Sequence, residues 1–243
     1  NAWAKYPNWQ NDDKVPAYVA RRTRVPRFVA RVPAGAGSRA RRVVLEGGSI
    51  DVNGAGVVMT TEECLLSPVQ ARNPGLGREV VERALGEFLG VERVLWLGQG
   101  IAGDDTHGHI DDTARFVGPR TIVACVEPDR SDPNHAPLAD NLARIAAARD
   151  LAGRPYDLLE LPMPRPVVFD GQRLPASYAN FYIANAGVLV PVFNDPNDVR
   201  ALRLLESCFT DRPIIPVYCR DLVWGLGTLH CMTQQQPKGG NKG

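Results

Sequence analysis

The sequence predicts an α/β domain built from a repeated strand, strand, helix, strand unit. This order recurs three times between residues 42 and 218. The segments interpreted as helices carry apolar residues at helical spacing on one face. Turn residues separate neighbouring strands, as in Asn53-Gly54 and Asn185-Ala186-Gly187, and Asn-Gly is a strong hairpin signal.

The repeated units occupy three separate stretches of the chain. In the first we expect strands at 42–45, 49–52, 56–61 and 91–97, with a helix at 77–89. The second is predicted to have strands at 113–116, 121–126 and 156–161, with a helix at 137–148. The third is predicted to have strands at 177–185, 187–193 and 213–218, with a helix at 197–208.

Three further segments read as irregular. Residues 162–175 are proline-rich and are expected to form a loop at a rim or lid. Residues 19–42 are arginine-rich and contain a loop or linker at 33–38, which indicates a solvated, partly flexible surface. The polar tail 238–243 is expected to be disordered.

Length and composition indicate one soluble domain over residues 1–243. The hydrophobic fraction of 44% and the charged fraction of 23% are ordinary for a globular protein. The net charge of +1 gives no sign of a nucleic-acid partner. No apolar run reaches the ~18 residues that a transmembrane helix needs, so no membrane association is expected.

The five cysteines are irregularly spaced and form no CxxC pair, which argues against zinc and iron–sulfur sites. Free thiols in a reducing cytoplasm fit this pattern best. The sequence begins at Asn1 without a methionine, so a removed leader or a truncated chain stays open.

Cys231 follows the Gly225-Leu226-Gly227 turn and stands beside His230. Small residues let the backbone approach a ligand closely. A cysteine on such a loop is a candidate nucleophile, because its thiolate is easily formed near neutral pH. The alternative is a small buried hydrophobic residue.

Residues 103–112 concentrate two of the four histidines and four aspartates. His109 and Asp111 alternate as on a strand, so both are expected on one face, and such a pair suits general acid/base catalysis. Metal chelation with His107 is less favoured, because no other His/Cys cluster supplies further ligands. A polar loop is the third interpretation.

Three further residues are candidates for substrate binding. Glu46 ends an apolar run before two glycines that clear space, and the alternative is a surface glutamate. Asn180 either supports the site or satisfies a turn. Trp224 either lines the pocket or packs beneath it.

At this point the sequence resembles the agmatine deiminase and bacterial peptidylarginine deiminase family of the guanidine-modifying pentein superfamily. Four motifs in order carry the resemblance, which covers nearly the whole chain. They are Leu45-Glu46-Gly47-Gly48-Ser49-Ile50, Gly108-His109-Ile110-Asp111, Ser177-Tyr178-x-Asn180-Phe181 and Gly227-x-x-His230-Cys231-x-Thr233-Gln234-Gln235-x-Pro237.

The resemblance implies a five-bladed α/β propeller of ββαβ units. It also implies hydrolysis of a guanidinium to a ureido group, with agmatine converted to N-carbamoylputrescine and ammonia. By the same resemblance, Cys231 is the nucleophile, His109 the general acid/base, and Glu46 and Asp111 hold the guanidinium nitrogens. No metal or other cofactor is implied; the expected partner is a small guanidino substrate, and a homo-oligomer is compatible.

General chemistry agrees with these implied roles. A guanidinium is planar, cationic and resonance-stabilised, so water attacks it poorly. Carboxylates bind it bidentately and fix its carbon for attack. A thiolate then adds, and a histidine protonates the departing amine.

The sequence departs from the family pattern in two places. The resemblance implies an Arg-Asp-x-Gly-Pro segment before the first motif, whose aspartate also binds the guanidinium. No such segment precedes the matching region, so we expect the N-terminal part of the domain to be missing from this sequence. His107 stands where many relatives have an acidic or amide residue, which leaves the substrate choice open.

Three alternatives to agmatine deimination follow from the same residues. A peptidylarginine deiminase has the same fold, and a non-catalytic relative would only bind guanidino or amine ligands. The presence of both Cys231 and His109 argues against a non-catalytic protein. A cysteine protease or amidase using Cys231 with His109 or His230 is the third alternative, but paired carboxylates suit a cationic substrate rather than an oxyanion.

Overall fold

The computed structural model describes residues 7–33 and 40–236. The first part of the chain carries one helix and a two-stranded ribbon. They are α1 (Val15–Thr23), β1 (Arg31–Val32) and β2 (Arg41–Arg42). α1 was not predicted, but it buries none of its residues, which agrees with the expected solvated surface. The tail 238–243 and all but Pro33 of the predicted loop at 33–38 lie outside the described residues.

The three ββαβ units are confirmed. The first contains β3 (Asp51–Val52), β4 (Val57–Thr61), α2 (Glu62–Leu66), α3 (Arg78–Leu89) and β5 (Arg93–Leu97). The second contains β6 (Ala114–Phe116), β7 (Thr121–Val126), α4 (His135–Ala147) and β8 (Asp157–Pro162). A small hairpin follows, β9 (Val168–Phe169) and β10 (Gln172–Arg173). The third unit contains β11 (Tyr182–Ile183), β12 (Val188–Val192), α5 (Asp198–Cys208) and β13 (Ile214–Tyr218).

Each unit forms a separate three-stranded sheet with the same topology. The first two strands pair antiparallel, and a helical crossover brings the third strand parallel to the second. The second strand is therefore central and covered on both faces, which explains its near-continuous apolar sequence. All five residues of β4, for example, are buried.

The core lies between the helices and the sheets and continues between neighbouring units. One buried cluster joins β4 and β5 to β7, and a larger one joins β7 and β8 to β12 and α5. Arg115 is only 2% exposed, and its side chain contacts all three units in the interior. Its guanidinium donates to Asp51 at 3.2 Å and to the carbonyls of Ala179 and Phe181 at 3.1 and 2.8 Å. It also lies 4.7 Å from the centre of the Phe181 ring.

One predicted strand is absent and another is shorter than expected. In both, side chains make hydrogen bonds in place of those of a regular strand. β2 ends at Arg42, and the predicted strand at 42–45 is wrong. The side-chain amide of Asn73 replaces a strand partner there, because it bonds both the N–H and the carbonyl of Val44 at 2.8 Å. Of the predicted strand at 177–185, Tyr182–Ile183 alone pairs. The side chain of Ser177 instead donates to the carbonyl of Asp112 at 2.8 Å, so this segment is bonded to a loop of the second unit.

The predicted loop at 162–175 contains the β9–β10 hairpin. Asp170 and Gly171 form its turn with φ angles of 48° and 73°. Two successive positive φ angles are typical of the tight turn that Asp-Gly favours. None of the helices in the described residues is both long and apolar enough to span a membrane.

Candidate active site

Three short turns carry the candidate catalytic residues. Glu46 precedes the 3-10 turn Gly47–Ser49, and His109 precedes the 3-10 turn Ile110–Asp112. Cys231 lies in a third turn, at 229–232. Loops positioned by a rigid scaffold are a common place for catalytic groups.

The prediction that His109 and Asp111 alternate along a strand is wrong. The carboxylate of Asp104 accepts hydrogen bonds from the backbone N–H groups of Gly108 and His109 at 2.9 and 3.2 Å, and these bonds hold the segment in a bend. The two side chains nevertheless meet, since Nδ1 of His109 lies 3.9 Å from Oδ1 of Asp111.

Asn180 organises the loop of the candidate nucleophile. Its Oδ1 accepts from Oγ1 of Thr228 at 2.9 Å and from the backbone N–H groups of Thr228, His230 and Cys231 at 3.3, 3.0 and 3.3 Å. Its Nδ2 donates to Sγ of Cys231 at 3.1 Å and to Asp112 at 2.9 Å. Both ends of the buried amide are engaged by protein atoms. This arrangement positions Cys231, and a contact between Asn180 and substrate stays a prediction.

Asp111 is completely buried and presents two different oxygens. Its Oδ2 accepts from Nδ1 of His230 at 2.7 Å and lies 3.5 Å from Sγ of Cys231. Its Oδ1 has no hydrogen-bond partner among the described residues. Burial alone would raise the pKa of Asp111, but the hydrogen bond from His230 and the charge of His109 outweigh it, so the pKa is lowered.

His109 stands between two carboxylates. Its Nε2 lies 3.7 Å from Glu46 and its Nδ1 3.9 Å from Asp111, which are ion-pair distances and too long for hydrogen bonds. The ring is 5% exposed, and Nε2 is buried without a hydrogen-bond partner in the described part of the chain. A polar group of a bound molecule can therefore supply the hydrogen bond that this nitrogen lacks.

Glu46 is fixed by Arg72, a buried residue that the sequence analysis missed. Nε of Arg72 lies 3.4 and 3.3 Å from the two carboxylate oxygens of Glu46, and its guanidinium also donates to the carbonyl of Thr106. Burial would raise the pKa of Glu46, but the neighbouring His109 and the charge of Arg72 lower it overall. Arg72 lies in an irregular segment without periodicity, so no sequence signal distinguished it from the many surface arginines.

Glycine is required by space at two positions of the site. A Cβ added to Gly48 would lie 2.6 Å from Nδ1 of His109 and 2.7 Å from Oδ2 of Asp111. A Cβ on Gly227 would lie 2.7 Å from the Cβ of Cys231. Of the two glycines that follow Glu46, Gly48 therefore leaves the space that His109 and Asp111 occupy.

Trp224 and His107 lie outside this cluster. The ring of Trp224 is half exposed and contacts Phe169 of the β9–β10 hairpin, with ring centres 4.1 Å apart. The structure thus packs Trp224 against another aromatic ring, and its contact with substrate stays a prediction. Nε2 of His107 lies 3.2 Å from Oγ of Ser67, and its Nδ1 lies 3.7 Å from Glu63.

Cys231 is an exposed residue, but the surroundings of its Sγ atom oppose ionisation of the thiol. Desolvation by the neighbouring groups and the negative charges of Asp111 and Asp112 raise its pKa. Burial and the charge of Asp111 also raise the pKa of Asp112 well above its usual range. The resting site therefore disfavours additional negative charge, including that of a Cys231 thiolate.

Within residues 7–33 and 40–236, two groups have the donor atoms for a metal ion. They are Glu46, Cys64 and His109, and Asp111, Asp112 and Cys231, each with potential ligand atoms within 4.8 Å of one another. The first group has the Arg72 cation at its carboxylate, and burial raises the pKa of the Cys64 thiol to about 12. In the second, Oδ2 of Asp111 already accepts from His230. These features favour an organic cation with hydrogen-bond donors over a metal ion.

Comparisons with known proteins agree with this geometry. The profile of the Porphyromonas-type peptidyl-arginine deiminase family matches residues 1–237. An agmatine deiminase of Stutzerimonas stutzeri is 37% identical over 98% of this chain and 67% of its own length. The structure of an Enterococcus faecalis agmatine deiminase superposes with a TM-score of 0.88 and 35% identity, covering 98% of this chain and 68% of that one. An agmatine deiminase of C. jejuni with substrate bound gives 0.85 and 33%, covering 98% and 67%.

The chain thus spans about two thirds of the length of these relatives. The matched region contains all four sequence motifs and the three turns of the site. The chain belongs to the Porphyromonas-type peptidyl-arginine deiminase family.

Proposed function

We propose that this protein hydrolyses agmatine to N-carbamoylputrescine and ammonia through a covalent intermediate on Cys231. One observation carries the proposal. Oδ1 of Asp111 and Nε2 of His109 are buried and have no hydrogen-bond partner among the described residues, and the other oxygen of Asp111 lies 3.5 Å from Sγ of Cys231. A guanidinium supplies the N–H donors and the positive charge that such a site lacks.

The roles of the residues follow from their contacts. Oδ1 of Asp111 binds the guanidinium, and Asn180 and Oδ2 of Asp111 hold Sγ of Cys231 beside it. Glu46 has its oxygens on Arg72 and faces His109 at 3.7 Å, so we assign it to orienting His109 and supporting its protonated form. Trp224 stays a candidate for the remote end of the substrate.

The reaction proceeds in two halves. The thiolate of Cys231 adds to the guanidinium carbon, and protonated His109 gives its proton to one nitrogen, which leaves as ammonia while the C–N bond breaks. The resulting thiouronium is attacked by water, whose proton returns to His109. Collapse of this adduct breaks the C–S bond, releases the ureido product and restores the thiolate, while the remaining proton passes through solvent to ammonia.

The raised thiol pKa assigns part of the activation to the substrate. In the resting site, desolvation and the charges of Asp111 and Asp112 keep the Cys231 thiol protonated. A bound guanidinium offsets these charges and lowers the thiol pKa. The nucleophile is therefore formed where a cation has already bound.

Agmatine is favoured over peptidylarginine because three relatives that are 33–37% identical to this chain over 98% of its length are agmatine deiminases. We further propose that the three ββαβ units belong to a five-bladed α/β propeller, with residues 1–243 in a single domain. The five cysteines are free, which supports a cytoplasmic location.

The native protein should be tested on agmatine, free arginine and an arginine peptide, with ureido product and ammonia measured. We expect turnover of agmatine. Turnover of the peptide alone would replace the proposal with peptidylarginine deimination. Turnover of none of the three would contradict deimination of these substrates.

Cys231→Ala should abolish turnover and keep agmatine binding. Cys208→Ala is the matched control, because that half-buried thiol lies on α5 and bonds the carbonyl of Leu204 at 3.3 Å. Full activity in Cys231→Ala would refute the nucleophile assignment.

A further inference from the structure

His230 is a buried histidine that the proposed mechanism does not use. It is 6% exposed and directly precedes Cys231. Its Nδ1 lies 2.7 Å from Oδ2 of Asp111, and its Nε2 lies 3.3 Å from the amide nitrogen of Gln235. Its backbone N–H is held by both oxygens of Asn180, at 3.0 and 3.1 Å.

These contacts define the protonation of the ring. The amide nitrogen of Gln235 is a donor, so Nε2 of His230 accepts and the ring proton resides on Nδ1. That proton is then donated to Oδ2 of Asp111. The imidazole therefore occupies one oxygen of Asp111 and leaves the other to the substrate.

We propose that His230 is a positioning residue, which aims Oδ1 of Asp111 at the guanidinium and holds this carboxylate in its charged form. The inference rests on the proposed function. A carboxylate with one oxygen fixed by a hydrogen bond cannot rotate freely, so its second oxygen keeps a defined direction. Without His230, a fully buried Asp111 beside Asp112 would gain a proton or turn toward another donor.

The charges around Asp111 make the hydrogen bond from His230 decisive for its ionisation. The neighbouring Asp112 disfavours negative charge on Asp111, whereas Arg115 and a protonated His109 favour it. Cys231 is neutral at rest. Asp51 faces His230 and is paired with Arg115, and Glu46 faces His109 and is paired with Arg72. Asp111 thus depends on His230 for its closest donor among the described residues.

Two substitutions separate the two nitrogens of the ring. In His230→Asn the amide nitrogen occupies about the position of Nδ1, whereas in His230→Gln it reaches toward Nε2. We expect His230→Gln to lower kcat/KM on agmatine about 10- to 100-fold, the worth of one charge-assisted hydrogen bond. We also expect the acid limb of its pH profile to move to higher pH, because Asp111 must be ionised to bind the cation. His230→Asn should restore both to near the wild-type values.

His135→Gln is the matched control, since that histidine lies at the start of α4 and bonds the carbonyl of Glu127 at 2.6 Å. Equal losses in His230→Asn and His230→Gln, or an unshifted acid limb in His230→Gln, would overturn the inference. Agmatine affinity of Cys231→Ala, with and without His230→Gln, is measured by calorimetry to separate binding from turnover. If the wild type binds agmatine but makes no ureido product, the proposed function fails, whereas an affinity that falls with His230→Gln still supports His230.

The wild-type protein offers a test that does not depend on any variant. Nitrogen-15 NMR of the histidine rings should show His230 protonated at Nδ1 at neutral pH. A ring protonated at Nε2 alone would refute the inference, even if both variants failed to fold.

Discussion

Replacing Asn180 with alanine tests whether this residue positions the nucleophile. The change removes an acceptor with good geometry to Oγ1 of Thr228 at 2.9 Å and to the N–H of His230 at 3.0 Å, and two longer contacts at 3.3 Å. At about 1 kcal/mol for each good bond, with an added cost for buried donors left unpaired, the loss of stability is about 2–4 kcal/mol. The donor to Sγ of Cys231 is lost as well.

A displaced nucleophile affects the chemical step more than substrate affinity. A misplacement of about 1 Å can cost about 100-fold in rate, so we expect kcat on agmatine to fall by about that factor with a smaller change in KM. Steady-state assays of ureido product and urea unfolding measure the two effects separately.

Asn141→Ala is the control for Asn180→Ala, because Asn141 lies in α4, is similarly buried, and bonds the backbone of Gly98 and Gln99 at 2.7 and 2.8 Å. It should lose stability but keep the kcat of the folded fraction. If Asn180→Ala lost stability but kept kcat as well, the positioning role would be refuted.

Three other perturbations test the site and its frame. Gly48→Ala places a Cβ 2.6 Å from His109 and should lower kcat/KM about 100-fold in product assays, whereas Gly118→Ala, with its nearest contact at 3.6 Å, should have little effect. Arg115→Met leaves Asp51 buried without its partner and should lower the free energy of unfolding in urea by about 3–5 kcal/mol; an unchanged midpoint would contradict the linking role of this arginine. Iodoacetamide should label Cys231 before the other cysteines, because Cys231 is exposed. Its labelling rate should continue to increase at a pH where an ordinary thiol is already fully ionised, because the pKa of Cys231 is raised. Peptide mapping that finds a buried cysteine labelled first would contradict this prediction.

The repeating units could be predicted because they depend on local patterns. The helix at 78–89 follows from apolar residues at helical spacing, and its end follows from Gly90, which adopts φ of 70°. The central strands follow from apolar runs such as the one at 121–126. Errors arose where side chains take over strand hydrogen bonds, as Asn73 does at Val44. Such exchanges join residues far apart in sequence, and no local pattern reports them.

The same limit applies to the site. The motifs predicted which residue types meet, and the structure brings Cys231, Asp111, His109 and Glu46 into one cluster. The motifs did not indicate which further residues contact each member of this cluster. The ion pair between Arg72 and Glu46, for example, is seen only in the structure. The carboxylate of this pair comes from another turn, 26 residues away.

The distribution of charge in the cluster suggests why substrate and product are treated differently. Asp111 and Asp112 lie beside the thiol, and two unit charges 4 Å apart interact by about 4 kcal/mol at an effective dielectric constant near 20. A guanidinium gains this interaction on binding, whereas the ureido group that replaces it is neutral and does not. The electrostatic attraction between the carboxylate and its ligand is therefore weaker for the product than for the substrate. Because the thiol pKa also rises again when the cation is gone, the site returns to a protonated resting form without any other group having to move.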